Sequence, residues 1–336
     1  MNDKAERLIF LDIAKGIGIL FVVLGHIYAF NPNIKNGLFV VWIYSFHMPL
    51  FFIISGMLLK YRETDESTIK FVFKRVKGLL VPYFVFSIFT IAVLLLTEGA
   101  TMSMLIVYIK RTIAGIGIDT LWFLPALFFS ECIFILAKKV LKKDWLMIAT
   151  VFLIYVLGNF LTNYDGLIII FLARIFIAIG YITVGYYGFE LIKEKDIPVS
   201  MLIIILIVQI ILSKLNGFVD LNNIVLNNVI LYAINSILGS YIILEISKKI
   251  KLNELVYFGK NSLIIMAIHL NLIYLFRKYV KLDVFNYVGG MFLFCLMLMI
   301  LPGIIYILNK YFPYFLGNFK IKKEKIALLE NGNKIN

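Results

Sequence analysis

The chain has few of the residues that build disulfides or metal centres. It contains two cysteines among 336 residues, Cys132 and Cys295, and each lies in an apolar run with no cysteine or histidine at metal-ligand spacing. We therefore expect two inert core thiols and no metal site. Acidic residues are also scarce, with 20 Asp and Glu against 33 Lys and Arg, which gives a net charge of +13. In a soluble protein this excess would suggest a nucleic-acid partner.

The motifs of soluble nucleotide and hydrolase chemistry are absent as well. The sequence has no Walker motif, no G-x-S-x-G and no H-E-x-x-H. Gly16 and Gly18 neither follow a strand nor open a helix, and Ala14 precedes Gly18 by four residues, so we interpret these small residues as a helix-packing face. The first apolar run carries charges and lacks an exit of the A-x-A type, so we expect no cleavable signal peptide.

Apolar residues, in contrast, are abundant. They make up 62% of the chain, and the mean hydropathy is +0.94, whereas soluble domains are nearer one half apolar. Apolar runs of about 17 to 25 residues predict membrane-spanning helices. The ten predicted spans are 9–28, 38–59, 79–96, 121–137, 145–161, 167–192, 197–215, 224–246, 256–276 and 284–308. We expect an all-α polytopic membrane protein, with one transmembrane domain over 1–319 and a polar cytoplasmic tail over 320–336.

The basic residues cluster between alternate apolar runs, where the positive-inside rule places them. An even number of spans puts both termini on one side, and the clusters at 60–77, 138–143 and 248–251 assign that side to the cytoplasm. We predict an N-in, C-in protein of a bacterial cytoplasmic membrane, with anionic lipid and not nucleic acid as the partner of the positive charge. Apolar residues at helical spacing in the loop 97–120 predict a short interfacial helix on the outer face.

The first span, LDIAKGIGILFVVLGH over 11–26, carries Asp12, Lys15 and His26 inside an otherwise apolar segment. On a helix, Asp12 and Lys15 are three residues apart, and His26 returns to nearly the same face as Lys15. Lys15 and His26 are roughly 16 Å apart along the axis, about half the hydrocarbon thickness. Charges at this depth cost several kcal/mol, so they indicate either a buried ion pair or a function.

Other residues could take part in chemistry together with the polar stripe formed by Asp12, Lys15 and His26. His26, His47 and His269 all fall in the outer halves of predicted spans, and imidazole is the usual base toward a hydroxyl. Each alone could be a packing residue, but their shared depth favours chemistry. The other intramembrane charges, Glu131 and Arg174, could pair with each other as a clamp or a pathway wall. The basic run that contains Lys74 and Arg75 is a topology determinant and could also dock a phosphorylated donor.

Five blocks of the sequence together resemble the integral-membrane acyltransferase family 3, in particular its branch similar to fucose 4-O-acetylases. The blocks are LDIAKGIGILFVVLGH (11–26), FHMPLFFIISGMLL (46–59), KRVKGLLVPYFVFS (74–87), LWFLPALFF (121–129) and FGKNSLIIMAIH (258–269). The resemblance implies a ten-helix domain that moves an acyl group, usually acetyl from cytoplasmic acetyl-CoA, to a glycan hydroxyl at the outer face. The family pattern of a basic residue, ten intervening residues and a histidine falls on Lys15 and His26. Many relatives have Arg at the first position, and Lys15 lacks its bidentate fork.

The resemblance also implies a role for each candidate residue. The residues expected to be catalytic are His26, Lys15 and Asp12, with His26 as general base or as a transiently acylated group. Those expected to bind the donor are Lys74, Arg75 and Arg174, where Arg174 could instead steady the fold. Those expected to bind the acceptor are His47, Trp122, Glu131 and His269. No cofactor is expected to be bound, since acetyl-CoA or another acyl-CoA is a donor substrate, and a homodimer is compatible with the sequence.

Two other functions are compatible with such a membrane protein. In a transporter or flippase of a lipid-linked sugar, the histidines and Glu131 would form a proton relay, but no inverted repeat and no broken helix is visible in the sequence. A polysaccharide polymerase would need a large outer loop, and the longest one predicted is only 97–120. The acceptor could be a capsule repeat unit, a lipid-linked oligosaccharide, a teichoic acid or a small secreted sugar.

Overall fold

The computed structural model describes residues 8–62, 67–99, 101–280 and 286–319, which contain helices and no strand. The predicted tail at 320–336 lies outside the described residues. The helices are α1 (Ile9–Ala29), α2 (Pro32–Lys35), α3 (Leu38–Tyr44), α4 (His47–Tyr61), α5 (Thr68–Arg75), α6 (Val81–Glu98), α7 (Met102–Ile113), α8 (Phe123–Val140), α9 (Asp144–Leu161), α10 (Leu167–Glu194), α11 (Val199–Asn216), α12 (Val229–Lys249), α13 (Asn253–Lys260), α14 (Ser262–Tyr279) and α15 (Tyr287–Tyr311). Helix α1 is central, because it contacts α3, α4, α12, α13, α14 and α15.

The prediction of about ten transmembrane helices is confirmed. Within the described ranges, nine helices are long and apolar enough to cross a membrane, and the bent pair α13–α14 gives a tenth. The third span is longer than expected: it runs over Thr68–Glu98 through a π-helical turn at Val76–Leu80, so Lys74 and Arg75 lie on a helix. The eighth begins at Val229 instead of 224, because the Asn228 side chain caps it by accepting from the backbone N–H groups of Ile230 and Leu231. The N-in, C-in orientation stays a prediction.

The second predicted span is interrupted between α3 and α4. Pro49 has no N–H to donate to the Ser45 carbonyl, as the helical pattern would require. That carbonyl instead accepts from Ser236 Oγ on α12, at 2.8 Å. The interruption makes His47 the first residue of α4.

The ninth predicted span is bent by 79° between α13 and α14. The expectation that no helix is broken is therefore wrong. At the bend, Asn261 Nδ2 donates to the Tyr257 carbonyl at 2.9 Å, and Asn261 Oδ1 accepts from Asn309 Nδ2 at 2.9 Å. A side chain that bonds the backbone in this way offers it an alternative to the regular helix, which is why such residues favour helix ends.

Small residues let α1 approach its neighbours closely, as expected for Gly16 and Gly18. A Cβ at Gly16 would lie 2.1 Å from the Leu255 carbonyl oxygen, and one at Gly259 would lie 1.8 Å from that of Asp12. Helices α1 and α13 therefore pack backbone to backbone. The cysteines differ from expectation, because Cys132 is buried but Cys295 is exposed on α15.

The predicted helix in the loop 97–120 is present as α7. Its N-terminus is capped by Thr101 Oγ1, and Met102, Ile106, Ile109 and Ile113 are exposed. A surface helix with an exposed apolar face fits the plane of a membrane interface.

Candidate active site

The polar stripe of α1 has the predicted ion pair at one end. Lys15 Nζ lies 2.7 Å from Asp12 Oδ1, and Asp12 is only 4% exposed. The carboxylate therefore compensates the lysine charge at membrane depth, and the Lys15 side chain remains available to an adjacent cavity. His26 lies near the other end of the same helix.

A basic cavity of about 380 Å³ opens near one end of the bundle. We call the cavity the basic cavity, and the end of the bundle where it opens the basic end. Its cationic lining residues are Arg62, Lys74, Arg75, Lys138 and Lys139, and its apolar wall includes Phe71, Ile135 and Tyr186. Lys74 and Arg75 were predicted here from the sequence, whereas Lys138 and Lys139 had been interpreted only as topology determinants. The concentration of positive charge makes this cavity suited to phosphate groups.

A second, mostly apolar cavity of about 150 Å³ follows it toward the centre of the bundle. The two cavities share Leu58 and Arg75 in their walls. Lys15, Glu131 and Ser55 are polar residues in the lining of the second cavity. Lys15 therefore lines a cavity that adjoins the basic cavity.

Glu131 belongs to this second cavity and not to the group of histidines. Its Oε2 lies 2.7 Å from Arg75 Nε, and its Oε1 accepts a hydrogen bond from Ser55 Oγ. The expected pairing of Glu131 with Arg174 is wrong, because the bundle places α8 beside the third span at this level. The expected position of Glu131 at the acceptor side is corrected for the same reason.

Arg174 lies elsewhere and is only 1% exposed. Nη1 donates to the Ile116 carbonyl at 2.8 Å, and Nε donates to the Asn222 carbonyl at 2.9 Å. Nη2 donates to Asn222 Oδ1 at 2.8 Å, and the guanidinium lies 5.0 Å from the centre of the Trp122 ring. Arg174 thus clamps the loop before α8 to the loop 217–228, which fits the structural alternative and not the expected donor role.

The three histidines, which the sequence places at similar depth, lie close together. Nε2 of His269 lies 3.0 Å from Nδ1 of His26, and the ring centres of His26 and His47 are 6.2 Å apart. His269 is 0% exposed and lies outside the walls of the cavities beside His26. The expectation that His269 binds the acceptor directly is therefore corrected, whereas His47 and Trp122 do line a cavity with His26.

A third cavity, of about 270 Å³, opens on the other side of His26, and we call it the histidine cavity. Its lining residues include Lys35, Tyr44, Asp119, Trp122, Phe218, Asp220, Asn222 and Tyr274. A fourth cavity, of about 30 Å³, adjoins it, since that small cavity shares His26 and Trp122 with it. The small cavity shares Val22, Met48 and Met266 with the apolar cavity. Four adjoining cavities therefore run from Lys74 and Arg75 to His26 and beyond.

Comparison with known protein families shows which class of reaction this chain is built for. The family model Acyl_transf_3, described as an acyltransferase domain, matches residues 8–309. The chain belongs to acyltransferase family 3. The match covers nearly the whole chain and makes it a multi-pass membrane acyltransferase. No curated protein and no solved structure gave a significant match.

The histidine cavity of the acyltransferase also contains residues that sequence reasoning missed. Asp119 Oδ2 accepts from the Tyr274 hydroxyl at 3.1 Å, and both side chains line the histidine cavity. Asp220 accepts from the Asn222 backbone N–H at 2.9 Å and forms an antiparallel bridge with Val225. The cluster of Asp and Asn over 220–228 was the available signal, because these residues favour turns that bond their own backbone. Hydropathy assigned part of that segment to a span and so concealed it.

Proposed function

We propose that this acyltransferase moves an acyl group, acetyl in the simplest case, from cytoplasmic acyl-CoA to a hydroxyl of a glycan or lipid-linked sugar at the outer face. The observation that carries this proposal is the series of adjoining cavities that joins the basic end to His26. In the proposed orientation, N-in and C-in in a bacterial cytoplasmic membrane, the basic end meets the compartment that holds acyl-CoA. The quoted sequence blocks favour the branch similar to fucose 4-O-acetylases.

The basic cavity fits the nucleotide part of the donor. Coenzyme A carries a pyrophosphate and a ribose phosphate, and charge-assisted hydrogen bonds from Lys and Arg are the strong contacts to such groups. Arg62, Lys74 and Lys139 supply them from three helical segments, and Phe71 and Tyr186 offer flat apolar surface for a purine. Aromatic and basic walls together favour a nucleotide over a simple phosphate ester.

The apolar cavity fits the narrow arm that carries the acyl group. A pantetheine arm is uncharged, and its amides need only a few polar partners. Lys15 and Ser55 are such partners in an otherwise apolar lining. Asp12 holds the Lys15 ammonium in position through the 2.7 Å ion pair. In this proposal Lys15 and Asp12 orient the donor, and the thioester reaches His26.

The histidine cavity fits the acceptor. Sugar rings bind between aromatic faces, which cover their C–H surface, and carboxylate or amide groups, which accept from their hydroxyls. The aromatic faces in this cavity are those of Trp122, Tyr44 and Phe218. The carboxylates are those of Asp119 and Asp220. His47 lines the small cavity beside His26 and would contact the reacting hydroxyl or the thioester.

The proposed reaction needs one base at the junction of donor and acceptor. The hydroxyl oxygen attacks the thioester carbonyl carbon while His26 takes the hydroxyl proton. The carbon–sulfur bond breaks, and the departing thiolate takes that proton from His26, so the products are an ester and free CoA. In the other route, His26 is acylated first and then passes the acyl group to the hydroxyl. Both routes need the imidazole at the same place.

The bent pair α13–α14 favours a second candidate, a proton-coupled transporter or flippase of a lipid-linked sugar. Broken helices at membrane depth are typical of transporter substrate sites. Such a protein would use the histidines to carry protons and would consume no thioester. Consumption of acetyl-CoA therefore distinguishes the two candidates.

The test is thiol release from acetyl-CoA by purified protein in nanodiscs, with and without glycans from the producing cell. We expect release that depends on acceptor, an alkali-labile acetyl ester on the glycan, and loss of both in His26→Ala. Lys251→Ala, an exposed basic residue outside the cavities, is the matched control and should behave as wild type. No release by folded wild-type protein under any acceptor condition would overturn the proposal and favour the transporter.

A further inference from the structure

The hydrogen bonds of His269 determine where its proton lies. Nδ1 of His269 is 2.9 Å from the Ile265 carbonyl oxygen, one helical turn earlier on α14. A carbonyl oxygen only accepts hydrogen bonds, so the nitrogen that faces it must carry the proton. His269 therefore donates through Nδ1, and the state of its other nitrogen depends on its charge.

His269 is uncharged in its resting state. His269 is 0% exposed, and no carboxylate in the described part of the chain forms a salt bridge with His26 or His269. A buried charge without a partner costs far more free energy than a neutral, hydrogen-bonded ring. A neutral His269 with its proton on Nδ1 has a bare Nε2, which can only accept.

The contact between the two rings then fixes the tautomer of His26. The bare Nε2 of His269 lies 3.0 Å from Nδ1 of His26. Two bare nitrogens would repel at this distance, so Nδ1 of His26 must carry the proton and donate it. The neutral His26 ring is then left with a bare Nε2. His26 lines the histidine cavity and the small cavity, whereas His269 lines neither.

We propose that His269 is a positioning residue that holds His26 in the Nδ1–H tautomer and leaves Nε2 as the reacting nitrogen. The tautomer follows from the geometry alone, whereas its use in catalysis rests on the proposed acyl transfer. His269 does for His26 what a carboxylate does for the histidine of a serine hydrolase, which is to orient the ring and select its tautomer. A neutral imidazole does so without placing another negative charge at membrane depth.

The proton movements follow from this arrangement. The acceptor hydroxyl gives its proton to Nε2 of His26 as its oxygen bonds to the thioester carbon. The carbon–sulfur bond breaks, and the thiolate sulfur removes that proton from Nε2. Throughout, Nδ1–H of His26 stays hydrogen-bonded to His269, so His269 neither gains nor loses a proton.

The tautomer can be tested without any activity, because the chain has only three histidines. In protein labelled with ¹⁵N-histidine, protonated and bare ring nitrogens have well-separated shifts, and single variants that remove one ring assign each signal. We expect all three rings as the Nδ1–H form, since His47 also places Nδ1 3.0 Å from a carbonyl, that of Ile43. His269→Leu should change the His26 signal to that of a mixture of the Nδ1–H and Nε2–H tautomers, and it should leave the His47 signal unchanged. A wild-type His26 with its proton on Nε2 would overturn the proposal.

The catalytic use is tested by thiol release in His269→Leu and His269→Gln. Leucine removes the ring acceptor for Nδ1–H and leaves only the carbonyl of Val22, one turn earlier on α1, beside the His26 ring. We expect kcat to fall about a hundredfold with an unchanged KM for acetyl-CoA. Glutamine offers an amide oxygen where Nε2 was, so its kcat should stay within about tenfold of wild type. Adding His269→Leu to His26→Ala should cost nothing more, because His269 acts through His26.

Equal loss in the Leu and Gln variants, or a further loss in the double variant, would overturn the positioning role. An inactive wild type would instead contradict the proposed function, and the ¹⁵N shifts would still decide the tautomer. The two failures are therefore distinguishable.

Discussion

Nε of Arg75 lies 2.7 Å from Oε2 of Glu131, in the wall where the basic cavity meets the apolar cavity. Glu131 is 1% exposed and also accepts from Ser55, so its charge is held by two helices other than its own. The pair joins α4, α5 and α8 at the entrance to the narrower part of the path. This ion pair therefore links three helices and, in the proposed function, also lies beside the bound donor.

Breaking this pair should destabilise the protein in a way that a second substitution repairs. Removing one partner of a buried ion pair costs about 3–5 kcal/mol, and less here because Arg75 is partly exposed. We expect a clear fall in Tm for Glu131→Leu and recovery of most of it in Arg75→Met/Glu131→Leu. Thermal unfolding in detergent measures both, and acetyl-CoA KM should stay raised in the double variant. A double variant with the lower Tm of Glu131→Leu alone would contradict this account.

Substitutions in the basic cavity should weaken donor binding selectively. Lys74→Ala and Lys139→Ala each remove one cation from a partly solvated site, so we expect KM for acetyl-CoA to rise about threefold to tenfold with kcat nearly unchanged. The effect should shrink at high salt and be smaller for a donor that lacks the ribose phosphate. Lys251→Ala serves as the control of equal charge change. Equal KM values in all three variants would argue against the basic cavity as the donor site.

The clamp formed by Arg174 should affect the acceptor and not the donor. Arg174→Lys keeps the charge but cannot reach Ile116 and Asn222 together, so we expect a loss of about 2 kcal/mol in unfolding free energy. Hydrogen exchange over 217–228 should speed up, and KM for the glycan should rise more than KM for acetyl-CoA. Faster exchange with an unchanged glycan KM would mean that this loop does not form part of the acceptor site.

The close contact of α1 with α13 predicts contrasting effects of adding one methyl group. Gly259→Ala places a Cβ 1.8 Å from the Asp12 carbonyl oxygen, and overpacking of this kind costs typically about 1–3 kcal/mol. Gly303→Ala on α15 meets nothing within 4 Å and should be neutral or slightly stabilising, because alanine is the better helix former. Thermal unfolding of the two variants compares them directly, and equal Tm values would contradict the packing of α13 on α1.

Features set by local spacing were predictable from the sequence. The spans follow from the length of apolar runs, and the Asp12–Lys15 pair follows from helical geometry within one segment. The similar depth of His26, His47 and His269 followed from their places in the spans, and it favoured a role in chemistry. The family blocks then supplied the acyltransferase chemistry that composition alone did not.

Features set by which helices adjoin were not predictable in this way. Glu131 was expected with Arg174 because both are isolated charges in apolar runs, and nothing in hydropathy indicates that α8 packs beside Arg75. His269 was assigned to the acceptor for the same reason. The sequence does not show which helices pack against α14, so it does not show which face of α14 lines a cavity. The bend at Asn261 escaped notice because the apolar pattern continues through it, and only tertiary partners such as Asn309 make it visible.

The smallest cavity, between the apolar cavity and the histidine cavity, also affects how the membrane stays sealed. A volume of about 30 Å³ leaves room for only one or two water molecules. A path that crosses most of a bilayer would dissipate ion gradients if it were wide throughout. In the proposed reaction, the end of the donor arm would fill this constriction of Val22, Met48, Met266 and two histidines and leave no room for hydrated ions. In the proposed function, a chemical group would thus pass between two compartments without a channel being opened.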